Sequence, residues 1–70
     1  MIINETKSFL YKDAFGDLKR VCISPEGNGK YYIGVFYEKF GFFCNDGFVS
    51  QEELDNWFAQ HKDLKEVDNA

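Results

Sequence analysis

The stretch Asp46-Gly47-Phe48-Val49-Ser50-Gln51-Glu52-Glu53-Leu54-Asp55-Asn56-Trp57-Phe58 decides the fold. It reads as a turn, a capped helix start and an amphipathic helix in succession. Ser50 has the side chain of an N-cap, and Glu53 three residues on completes the S-x-x-E capping box. Val49 and Leu54 flank it as the hydrophobic staple. Glu52, Glu53 and Asp55 crowd the first turn, where the helix dipole favours negative charge. Leu54, Trp57, Phe58, His61 and Leu64 then recur at helical spacing, which gives one apolar stripe. Lys62 and Lys65 fall near the C-terminal end. The pattern predicts a C-terminal helix over 50–65 and a frayed tail over 66–70. Asn45-Asp46-Gly47, just ahead of it, is a turn signal.

Working upstream, the period changes from that of a helix to that of a strand. Lys30–Glu38 is the longest alternating run. Tyr31, Ile33, Val35 and Tyr37 share one face, and Tyr32, Gly34 and Phe36 share the other. Apolar residues on both sides predict a central strand. Ser8–Lys12 and Leu18–Ser24 are shorter strand patterns, separated by the turn material Asp13–Asp17. Pro25-Glu26-Gly27-Asn28-Gly29 concentrates turn formers and predicts a hairpin. Lys39-Phe40-Gly41 turns the chain into a short fourth strand, Phe42–Cys44. Met1–Thr6 reads as a frayed start. The expected fold is α+β: an antiparallel meander of three or four strands over 6–44, with one helix packed on one face.

Seventy residues make one domain. A chain this short buries only about 60% of its unfolded surface, so it needs a staple or dense apolar packing. Here the packing comes from 8 Phe, 4 Tyr and 1 Trp, 19% of the sequence. Cys22 and Cys44 do not make a disulfide framework, which takes four or more cysteines. There is no apolar leader and no apolar run near 18 residues, so a cytoplasmic protein with reduced thiols and no membrane partner is expected. The net charge of −4 is uneven. Residues 1–44 carry six cations against five acids, and residues 45–70 carry two cations against seven. An acidic domain is poorly suited to phosphate neutralisation and well suited to a basic protein surface.

The segment around Asp46-Gly47 also resembles the second half of an EF-hand calcium loop. Asp46, Gly47, Val49 and Glu53 match its positions 5, 6, 8 and 12. Positions 1 and 3 then fall on Phe42 and Cys44, which offer no oxygen ligand, and the preceding segment is a strand pattern. No metal or other cofactor is expected. Catalysis finds no constellation either. His61 is the single histidine and lies on the apolar stripe, Ser50 is committed to capping, and Gly27 and Gly29 belong to a hairpin. An enzyme is not expected.

Two surfaces remain as candidates for binding another protein, or a second copy of the chain. The first is aromatic: Tyr32 and Phe36 should point away from the helix, and the strand register decides whether Phe43 joins them. The second is acidic: Glu52, Asp55 and Asp63 should lie on or beyond the outer side of the helix. On size and type, the expected function is a non-catalytic binding module, such as an accessory or inhibitor protein of a phage or other mobile element. A structural subunit of a larger assembly is a further reading.

A three-stranded sheet followed by a helix, opened by Gly47-Phe48-Val49-Ser50-Gln51-Glu52-Glu53, resembles the arm-site DNA-binding domain of phage and transposon integrases. The resemblance implies a sheet that enters the major groove, with Lys12, Lys19, Arg20, Lys30 and Lys39 as the groove-facing cations. DNA binding by the sheet is therefore the alternative function.

Overall fold

Four strands precede the helix, the first three built on alternating apolar residues. These are β1 (Lys7–Lys12), β2 (Leu18–Gly27), β3 (Lys30–Tyr37) and β4 (Phe43–Ser50). Helix α1 (Gln51–Gln60) follows at once, and β5 (Lys65–Val67) ends the fold. The computed structural model describes residues 3–68. All strand pairs are antiparallel, in the spatial order β4-β3-β2-β1-β5. The first four strands form a meander. The chain then leaves β4 at one edge and returns at the other, where β5 pairs with β1.

Each hairpin has a local cause. Between β1 and β2 the Asp13 carboxylate accepts the N–H groups of Phe15 and Asp17, both at 2.9 Å. Between β2 and β3 the loop is Asn28-Gly29, with φ of 55° and 73°. Positive φ at both central residues is the turn that matches strand twist, and asparagine and glycine are the residues that tolerate it.

One face of the sheet holds the core. Phe9, Tyr11, Val21, Ile23 and Tyr31 are buried together with Ile3 and Leu54, and Ile33, Val35, Val49, Trp57, Phe58 and Leu64 pack against them. The Phe58 ring meets Phe9 edge-on at 5.4 Å, and Trp57 meets Tyr11 at 5.8 Å. Such edge-to-face pairs add roughly 0.5–1.5 kcal/mol each beyond the area they bury. The helix starts as its sequence dictates. The Glu53 N–H donates to Ser50 Oγ, and the Ser50 N–H donates to the Glu53 carboxylate, both at 3.1 Å. The Tyr31 hydroxyl donates to Gln51 Oε1 at 2.5 Å, which ties the first turn to β3.

The α+β class holds, but the sheet has five strands rather than three or four. Asn45-Asp46-Gly47 is not a turn: it lies inside β4, where Asn45, Asp46 and Gly47 pair with Val35, Gly34 and Ile33. The long apolar β3 offers a full set of ladder partners, and that outweighs the local preference of three turn-prone residues. The β2–β3 turn is likewise shorter than the sequence predicts, because Pro25 and Glu26 belong to β2. Pro25 is tolerated because the β1 ladder has already ended at Lys7↔Ile23, so no neighbour needs its missing N–H.

The helix stops at Gln60, not 65. It has no basic residue in its last turn and no C-cap glycine; His61 closes it at φ −120°, its backbone N–H donating to the Phe58 carbonyl at 3.2 Å. Residues 65–67, expected at the helix end and in a frayed tail, form β5 instead, because β1 leaves an open ladder beside them. The start is more ordered than expected too: Ile3 is 3% exposed in the core. The rest of the two expected frayed ends (Met1, Ile2, Asn69 and Ala70) lies outside the described residues.

Candidate protein-binding face and edge

The face that α1 does not cover carries aromatic residues where β3 and β4 adjoin. Tyr32 pairs with Phe48 and Phe36 with Phe43. Their rings meet at 5.6 Å and 4.2 Å. Gly34 lies between Tyr32 and Phe36, and a Cβ there would touch the Tyr32 ring and hydroxyl at 3.4 Å. The Tyr32 ring thus lies over the glycine, and its hydroxyl donates to Asp46 Oδ2 at 3.0 Å. That hydrogen bond to a carboxylate is the main reason the Tyr32 phenol is held above its ordinary value of 10.0.

A β-bulge puts Phe43 on this face. The pairing runs Val35↔Asn45 and then Phe36↔Phe43, so Cys44 is the extra residue. Without it, Phe43 would share the face of Asn45, Gly47 and Val49, which is the core side. One inserted residue turns its side chain over to stand beside Phe36. Phe43 is 61% exposed and Phe48 66%. Phe40 and Phe42, which stack at 6.1 Å beyond the bulge, are also exposed, as is Phe15 at the β1–β2 turn.

β4 is an edge strand, and the direction of its backbone groups follows from two hydrogen bonds. The Tyr37 N–H donates to the Phe42 carbonyl at 2.8 Å, and the Glu38 N–H donates to the Leu18 carbonyl at 3.0 Å. Odd-numbered residues of β3 therefore bond towards β4 and even-numbered ones towards β2. Their partners Asn45, Gly47 and Val49 turn their N–H and C=O groups inward. Asp46 and Phe48 turn theirs outward. The next outward N–H, that of Ser50, is taken by Glu53 in the capping box. An open stretch of edge thus runs from the bulge to the helix cap.

The opposite edge is different. β5 has three residues, two of them charged, and Glu66 is paired with Lys7 Nζ at 3.4 Å. Short length and charge are the usual protections of a sheet edge. β4 has eight residues with no Lys, Arg or Pro among them.

On the core side of β4, a cleft of about 340 Å³ lies between the strand and the helix. Ile33, Val35 and Val49 form its floor, and Glu53, Asn56 and Trp57 its wall. Gly47 adds no side chain here, and a Cβ built on it would meet no atom within 4 Å.

The expected acidic surface is split. Glu52 and Asp55 are exposed on α1, with Asp55 accepting from Gln51 Nε2 at 2.9 Å. Asp63 lies past the helix end, its carboxylate 3.4 Å from the Lys12 backbone N–H. The expected cations are dispersed. Lys19 is on the core side, where it pairs with Asp13 at 3.2 Å and lies over the Tyr37 ring. Arg20 is on the other face, held by Glu38 through bonds of 2.7 and 3.0 Å. Lys12 and Lys30 end different strands, and Lys39 lies over Phe40 in the β3–β4 turn. Among the described residues, no group of His, Cys, Asp and Glu could hold a metal ion, and both cysteines are free. No helix there is long and apolar enough to cross a membrane.

Phe48 is the aromatic of this face that the sequence reading does not pick out. Its signal is the alternation Asp46, Phe48, Ser50, which is hidden once Asn45–Gly47 is taken for a turn. The chain matches no family model, no curated protein and no solved structure.

Proposed function

We propose that this protein is a non-catalytic protein-binding module. It acts through the aromatic face of β3 and β4, aided by the acidic side of α1. One observation carries the reading: two cross-strand aromatic pairs, Tyr32–Phe48 and Phe36–Phe43, sit on the helix-free face and run up to an unprotected strand edge. Aromatic side chains are enriched at interfaces because each covers a large area with few rotatable bonds. A contiguous patch of them is a stronger sign of a partner than scattered exposure.

The test compares three sets of replacements in a pull-down from host cells, each set first checked for native melting. Tyr32→Ser with Phe36→Ser removes the aromatic face. Glu52→Lys, Asp55→Lys and Asp63→Lys reverse the acids. Lys19→Glu, Arg20→Glu and Lys30→Glu reverse the cations. The aromatic set should weaken partner capture most and the acidic set next. If the cation set does most damage, and the loss follows salt concentration, the sheet binds DNA and the proposal falls.

A further inference from the structure

The outward backbone groups of β4 ask for a strand, and the charge beside them says which kind. From Phe40 to His61 the sequence has no Lys or Arg but holds Asp46, Glu52, Glu53 and Asp55. This segment forms the whole of β4 and α1. Asp46 stands on the edge strand itself, and Glu53 on the wall of the cleft beneath it.

We infer that the β4 edge takes an extended, cationic segment of another protein as a sixth strand, antiparallel to β4. This rests on the protein-binding reading above and names the partner's chemistry. Two alternate residues of the incoming segment exchange N–H···O bonds with Asp46 and Phe48, four bonds in all. The ladder then stops at the bulge on one side and at the capped Ser50 on the other. Side chains on one face of the segment reach the Tyr32–Phe48 aromatic pair. Those on the other face reach over Gly47 into the cleft towards Glu53 and Trp57. Main-chain bonds supply affinity, and the alternate side chains supply specificity. Lysine or arginine at either set meets a carboxylate, whereas an acidic segment or a nucleic acid meets like charge.

A second copy of the chain fits less well. Pairing β4 with β4 sets two cation-free strands side by side and brings two sets of helix acids together, and like charges across a ladder are unfavourable.

The experiment uses the full chain, isotopically labelled, with a blocked nine-residue peptide alternating lysine and valine as probe. Addition of the peptide should slow hydrogen exchange at the Asp46 and Phe48 amides on the order of tenfold. The Gly47 and Val49 amides, already bonded to β3, should change little. The same peptide N-methylated at alternate residues keeps its charge but lacks the donors, and should give no protection. A peptide alternating glutamate and valine should not bind. Phe48→Pro removes an outward N–H without touching the β3 ladder, and should weaken peptide binding about tenfold or more beyond Phe48→Ala, which removes the ring alone. Should Phe48→Pro fail to fold, Asp46→Lys places a cation on the edge and should weaken binding similarly.

Absence of edge protection at millimolar peptide overturns the inference, as does equal protection by the N-methylated peptide. A dimer in sedimentation that Phe48→Pro converts to monomer also overturns it, in favour of a second copy. The two readings fail separately. If the Tyr32/Phe36 double replacement abolishes partner capture while the edge amides stay unprotected, strand addition falls and the aromatic face stands. If the edge is protected but that replacement leaves partner capture intact, the face reading falls instead.

Discussion

Leu54 is the helical residue taken wholly out of water, and it sits at the centre of the packing between α1 and the sheet. Leu54→Ala should cost about 2–5 kcal/mol, a large part of the stability of so small a domain. Ser50→Ala should cost about 0.5–2 kcal/mol, since it strips the cap from the Glu53 amide. Urea unfolding measures both, and a Leu54→Ala chain with an unchanged midpoint would show that the helix packs elsewhere. The Arg20–Glu38 pair gives a pH dependence. The Arg20 hydrogen bonds hold the Glu38 carboxyl below its ordinary value of 4.5. Burial raises the Asp13 carboxyl, but the Asp17 and Phe15 amides and Lys19 more than offset it, so Asp13 is lowered as well. A carboxyl whose value is depressed on folding stabilises the fold above its unfolded value. That contribution is lost as pH falls through the native value. Melting temperature should therefore drop as pH is lowered below about 4.5, and Glu38→Gln should flatten the drop. At this scale the sequence is most readable. Ser50 and Glu53 bond as their spacing implies, and Leu54 is buried as its place on the apolar stripe implies. The placement of Phe43 is not readable, because a bulge depends on how two strands are aligned, and neither strand encodes that alone.

Among the elements, β4 departs furthest from its local sequence. Asn-Asp-Gly prefers a turn, and only the ladder offered by β3 makes it a strand. Gly47 therefore weakens the element it sits in. Its conformation is compatible with a side chain and the space beside it is open. Gly47→Val should raise stability by about 0.5–1 kcal/mol, read from the urea midpoint. It should also narrow the cleft beside Glu53, so the more stable chain should bind the lysine–valine peptide less well. Unchanged peptide affinity would show that the incoming side chains do not enter the cleft. The two strands flanking the β2–β3 turn were legible from alternation and from Asn28-Gly29. β5 was not, since the three residues Lys65-Glu66-Val67 are too few to carry a periodicity and pair only because β1 is there to receive them.

For the whole molecule, the strand order sets one open edge against one closed edge. The −4 charge and the aromatic share are readable in composition. Composition could not tell that the cation-free segment from Phe40 to His61 would form both the β4 edge and the helix beside it. That depends on the chain crossing from β4 to β5 through α1. The crossing also makes β5 a stopper. β1 and β4 run in opposite directions, so without β5 the β1 edge of one molecule could accept the β4 edge of the next in antiparallel pairing. Such a head-to-tail contact leaves the same two edges free at each end, so it can repeat from molecule to molecule. A chain cut after Leu64 should lose little of its main core yet scatter light increasingly with concentration, and an added Phe48→Pro change should return it to monomers. β5 thus closes the β1 edge of the sheet to any neighbouring strand.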